Sequence, residues 1–203
     1  MKNNTLSTLR TLLLLTLLLL VGLAIAFMLR PSNFQSGSLM KLGGDFTLQS
    51  NNGPVSLSDY RGKAVALYIG YASCPDVCPT ALAVMTQAFR NLSNENVDQV
   101  AGIFISVDPE RDTPEKLEEY TRFFSPMITG LTGTKKEIDQ VVAQYGAFYR
   151  KVDMPDSAMG YAVDHSSRIY LIDQTGELYK TLLHNSSPNE LLEEINKLLD
   201  SDK

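Results

Sequence analysis

The chain has 203 residues and a net charge of −5, unevenly spread: residues 31–203 hold 15 basic and all 23 acidic residues, a net −8. An acidic body of that kind disfavours nucleic acid and anionic lipid as partners. Once a tether is set aside, about 160 residues remain, enough for one well-filled core and too few for two.

The chain opens with "MKNNTLSTLRTLLLLTLLLLVGLAIAFMLR", uncharged from Leu12 to Leu29. At 1.5 Å per residue this stretch makes a helix of roughly 27 Å, close to the hydrocarbon thickness of a bilayer. Lys2 and Arg10 precede it, and no acidic residue comes before Asp45. Positive N-terminal flanks keep that end in the cytoplasm. We therefore expect a short cytoplasmic N-terminus over 1–11 and one transmembrane helix over 12–29. The rest of the chain then lies outside the cytoplasm. Ala24-Ile25-Ala26 offers a signal-peptidase site as a rival reading, but the apolar run continues past it to Leu29. Neither cysteine is near this run, which excludes a lipoprotein anchor.

Residues 30–44, with "PSNFQSGSLMKLGG", read as a flexible stalk. The body, 45–203, begins with a β-hairpin signal, Phe46–Leu48 and Val55–Leu57 about "NNGP". "AVALYIGYA" (64–72) is a continuous apolar run, the mark of a strand buried on both faces. "TALAVMTQAFRNL" (80–92) carries Leu82, Met85, Phe89 and Leu92 at helical spacing. "VAGIFISVD" (100–108) is a second buried strand. "TPEKLEEYTRFF" (113–124) reads as a capped helix with Pro114 in its first turn, and "TKKEIDQVVAQYG" (134–146) as a helix stopped by Gly146. "KVDMPDSAMGYAV" (151–163) reads as irregular and mobile. "SSRIYLID" and "GELYKTLL" are strands about the turn "DQTG", and "PNELLEEINKLL" is a closing amphipathic helix. The alternation predicts a mixed α/β domain of thioredoxin-like fold, with helices on both faces of a largely parallel sheet.

The only two cysteines, Cys74 and Cys78, stand in "YASCPDVCPT", where the first buried strand passes to its helix. Exposed N–H groups and the helix dipole there favour thiolate, so both sulfurs are expected to be more acidic than free cysteine. The four-residue step puts them on one helical face. A structural disulfide, a redox pair and two ligands to one soft metal ion all meet that geometry. The disulfide would close a very short loop and stabilise little, and redox pairs of the thioredoxin type have two intervening residues, not three.

The chain has two histidines. His165 precedes the strand that should run beside the cysteine loop, and two thiolates with an imidazole suit Cu(I), or Cu(II) with a further weak ligand. A hydrogen-bonded structural histidine is the alternative. His184, in a loop after an edge strand, reads as structural. Structural zinc would want four such ligands. A Ser-His-Asp triad is excluded because neighbouring Asp164 and His165 diverge on a strand.

"SCPDVCP", "SVDPERDTPE" and "VDHSSRIYLID" together resemble the Sco (SCO1/SenC) copper proteins, in the same order and with similar separations. The resemblance runs from about Asp45 to the last helix, and the N-terminal anchor agrees. It implies one copper ion, Cu(I) or Cu(II), held by Cys74, Cys78 and His165, with Asp76 near the metal. It implies assistance in building the binuclear copper site of cytochrome c oxidase subunit II, by delivering copper, by reducing the acceptor's cysteines, or both. A copper donor and a thiol reductant are then partners too. The rival readings are a thiol–disulfide oxidoreductase without metal, with Cys74 and Cys78 as its redox pair, and a redox or copper sensor. "DPERDT" (108–113) is either a docking loop beside the site or a helix start capped by Asp112 or Thr113.

Overall fold

The computed structural model describes residues 3–28 and 42–200, and divides into a unit ending at Lys41 and a second beginning at Leu42. In the first, α1 (Asn3–Met28) is a helix, and it starts well before the expected span at residue 12. Its large apolar side chains from Leu12 to Leu23 are exposed. Among the described residues no helix is long and apolar enough to cross a membrane. Leu29, which closes the expected span, and the expected stalk up to Lys41 lie outside the described residues.

The second unit is built on β3 (Ala64–Gly70) and β4 (Val100–Ser106), each buried along its whole length. They pair in parallel, and β5 (Ile128–Leu131) continues beside β4 in the same direction. On the other side β8 (Arg168–Ile172) runs antiparallel to β3, and β9 (Leu178–Leu183) antiparallel to β8. The sheet order is β5-β4-β3-β8-β9. A parallel half extended by an antiparallel hairpin is the thioredoxin-like arrangement expected.

The helices form where the caps and apolar stripes place them. α2 (Val77–Arg90) buries Cys78, Ala81, Leu82, Met85, Ala88 and Phe89, a stripe at three- and four-residue steps. Gly102 on β4 leaves the room that Met85 and Phe89 occupy, since a methyl there would meet both. α3 (Pro114–Phe124) is capped by Thr113, whose side chain accepts from Lys116 N. Thr113 is thus the cap and Asp112 is not. α4 (Lys135–Gln144) opens on a Thr134–Glu137 capping box. It ends before Gly146, whose φ of +60° suits glycine. α5 (Pro188–Asp200) packs against α2.

The expected first hairpin is β1 (Thr47–Ser50) with β2 (Gly53–Ser56). Two elements depart from expectation. β5 is a four-residue strand interrupted by Gly130, where a side chain would collide with α3 at Leu117. Residues 151–163 are irregular only over 155–159, a turn: on either side β6 (Tyr149–Met154) and β7 (Gly160–His165) pair antiparallel as a separate ribbon. Its side chains are largely exposed, so no alternation of apolar residues announced it.

Candidate metal centre

Cys74, Cys78 and His165 come together at the C-terminal end of β3. One ligand atom from each lies within 4.8 Å of the others, and among the described residues no other group of histidine, cysteine and carboxylate side chains forms such a cluster. Three elements deliver them. Cys74 stands in the turn after β3, with its N–H on Tyr71 O at 3.2 Å. Cys78 lies one residue inside α2, fully buried. His165 is the last residue of β7.

His165 Nε2 lies 3.3 Å from Cys78 Sγ, and Nδ1 lies 3.2 Å from Ser166 O. A carbonyl only accepts, so Nδ1 donates to Ser166 O, and Nε2 is the ring nitrogen that faces the sulfurs. The ring is walled edge-on by Tyr71 and Tyr68, with centroids at 5.7 and 6.1 Å. Gly70 makes the pocket possible: a Cβ there would stand 2.5 Å from Cys78 Sγ.

The two sulfurs are unequal, which corrects the expectation that both are acidified. Cys74 is held well below the usual thiol range. The hydrogen bond donated by the Cys78 thiol leads; one from the His165 ring and then the backbone N–H groups of Asp76 and Cys78 add to it, against the opposing effect of burial. Burial pushes the Cys78 thiol up, and the neighbouring Cys74 charge pushes it further. A second negative charge in the same apolar pocket is what the protein resists. The apolar spacing holds the signal for this: one helical turn back from Leu82 is Cys78, inside the buried stripe, while Cys74 precedes the helix.

Asp76 is exposed, caps α2 without a side-chain hydrogen bond, and serves Cys74 through its backbone. His184 stays outside the cluster. Its backbone N–H is on Ser167 O, and its buried Nδ1 has no hydrogen-bond partner. Residues 108–112 reach the site in a way the spacing did not reveal. Asp112, fully buried, accepts from Ala72 N at 2.8 Å and from Ser106 Oγ at 2.6 Å, and pairs with Lys116 at 2.9 Å. It thereby fixes the backbone just ahead of Cys74.

A thioredoxin-like body with two cysteines three residues apart and a distant histidine, gathered at one strand end, defines a class of redox-capable, soft-metal-binding proteins. The SCO1/SenC family model matches residues 35–200. The SCO2-like protein RC0895 of Rickettsia conorii is 41% identical over 155 residues, 76% of this chain and 75% of that protein. The copper-bound structure of Bradyrhizobium japonicum ScoI is 36% identical with a TM-score of 0.70, over 78% of this chain and 99% of that one. BsSco, described as having a disulfide switch and belonging to the Sco family of cytochrome c oxidase assembly proteins, is 25% identical with a TM-score of 0.62. That match covers 80% of this chain and 95% of BsSco. The chain belongs to the SCO1/SenC family.

Proposed function

We propose that this protein carries one copper ion as cargo on Cys74, Cys78 and His165 and passes it to an acceptor of the type of cytochrome c oxidase subunit II. The observation that carries the reading is the set of two sulfurs and one imidazole nitrogen within 4.8 Å. That donor set fits a soft ion, and copper in particular. Cys74 arrives ionised, Cys78 releases its proton as the ion binds, and His165 offers Nε2. Cys74 is 9% exposed and His165 is part-buried, so the site is open on that side to an incoming thiolate or imidazole. An acceptor can therefore take the ion by ligand exchange. The copper-bound neighbour supports the choice of metal, and BsSco supports the assembly role.

The uneven thiols favour a second reading, reduction of the acceptor's cysteines. Cys74 thiolate attacks one sulfur of an acceptor disulfide and forms a mixed disulfide, and the other acceptor sulfur leaves as thiolate. Cys78 then loses its proton and displaces the second acceptor sulfur. A Cys74–Cys78 disulfide and two acceptor thiols result, two electrons having moved. A separate reductant must restore the pair. Of the two, copper transfer is the one that gives His165 a role.

The apolar face of α1 supports anchoring to the inner membrane with the second unit in the periplasm, where a copper donor and a reductant would meet it. An apolar helix exposed on all described sides calls for a lipid or protein cover. The deciding experiment is an anaerobic Cu(I) titration of the reduced full chain in detergent micelles, beside its His165→Ala variant. One tight equivalent, weakened at least about tenfold in the variant, is expected. Binding indifferent to His165 leaves the cysteines to redox work alone.

A further inference from the structure

His165 stands at the end of a ribbon that is not part of the main sheet: β6 and β7 pair only with each other among the described strands. Two strands alone hold a position poorly, so something else must set where the imidazole lies relative to the sulfurs. The ties from β6 to Asp139 and Glu110 lie at the surface. One tie is buried. Arg111 Nη1 donates to Met159 O at 3.2 Å and to Tyr161 O at 2.9 Å. Its guanidinium lies 3.7 Å over the Tyr161 ring, and its Nε donates to Asp108 at 2.5 Å. Asp108, fully buried, accepts from Tyr161 Oη at 2.7 Å on its other oxygen.

The same guanidinium faces the metal side. It stands 5.6 Å from the Tyr71 ring, whose other neighbour is His165. The next residue along, Asp112, holds Ala72 N, two residues before Cys74. One short loop thus grips the strand that carries His165 and the turn that carries Cys74. Tyr71 is the other link, its ring against His165 and its hydroxyl on the Val163 backbone.

We infer that Arg111 is a positioning residue for the metal centre: its Nη1 bonds to Met159 O and Tyr161 O at the start of β7, with Nε on Asp108 and its plane on Tyr161, set the distance from His165 to the two sulfurs. This rests on the proposed Cys74–Cys78–His165 site. Groups that orient ligands in this way are worth about ten- to a hundredfold in metal affinity. Lysine keeps the charge but not the planar fork.

The test uses the full chain in micelles with Arg111→Met and Arg111→Lys. Three readouts are taken: amide exchange in the metal-free protein, Cu(I) affinity, and the Cu(II) electron paramagnetic resonance splitting from a nitrogen ligand. Expected are unchanged exchange over β3 and β4, at least about tenfold faster exchange over 160–165, and loss of the nitrogen splitting. Cu(I) affinity should fall about ten- to a hundredfold, with Arg111→Lys intermediate. If Arg111→Met fails to fold, Arg111→Lys decides. Parent-like splitting in a folded variant overturns the inference, even with a lowered melting temperature, since a merely stabilising residue gives that result. If the parent shows no His165-dependent splitting, the site reading fails, and exchange over 160–165 alone decides whether Arg111 positions β7.

Discussion

Gly70 ends β3 against the sulfur of Cys78, and the room it leaves is smaller than a methyl group. Gly70→Ala would put Cβ 2.5 Å from Cys78 Sγ and 3.1 Å from the Tyr68 ring. Both neighbours are buried and cannot swing away. The variant should lose about 1–3 kcal/mol of stability, the usual cost of overpacking, and bind Cu(I) more weakly. Denaturant unfolding and the titration measure the two effects, and a parent-like midpoint would contradict the account. The unequal thiols make a separate expectation. Cys74 is shifted down and Cys78 up, so lowering the pH from about 8 to about 6 leaves Cys74 ionised while an ordinary thiol loses its thiolate. Alkylation of the reduced protein, followed by mass spectrometry, should show a nearly flat rate at Cys74 over that range and little reaction at Cys78. A Cys74 rate that falls like that of a free thiol would remove the proposed hydrogen bond from Cys78.

At the scale of elements, the segment 108–113 combines two duties that substitutions can separate. Thr113 caps α3, so Thr113→Ala should cost about 1 kcal/mol and leave copper affinity unchanged. Asp112 holds the cysteine turn, so Asp112→Asn should cost about 2 kcal/mol and also speed amide exchange at Ala72 and Cys74. Equal effects of the two substitutions on that exchange would show that Asp112 acts only on the helix. Legibility followed burial here. α2, α4, β3 and β4 were readable because one face or both are covered by the core and the apolar spacing records it. β6 and β7 were not, because a ribbon of largely exposed residues carries Arg, Lys and Asp where an alternating pattern would need apolar side chains. β5 escaped for a different reason: four residues with Gly130 among them are too few to show a period.

At the scale of the whole molecule, α1 and the body are separate units with opposite surfaces, one apolar and uncharged from Leu12 onward, the other acidic. If α1 anchors the chain, the full protein should stay with membranes after extraction at alkaline pH, while a chain lacking residues 1–30 should be released. Release of the full chain would leave a peripheral or partner-bound helix as the reading. The sequence by itself determined the helices, the buried central strands and the acidic body, because each is written in local spacing or composition, and it offered Cys74, Cys78 and His165 as candidates through residue type and family resemblance. Only the tertiary structure decided that Cys78 is the deeper sulfur, pushed up by burial, while Cys74 is held down by the hydrogen bonds it accepts. It alone showed that Asp76 acts through its backbone, and that Arg111 and Asp112 tie the histidine strand to the cysteine turn. The ties through Asp112 and Arg111 span 40 to 50 positions and the Cys78–His165 contact 87, and no local pattern encodes which distant groups will share one pocket.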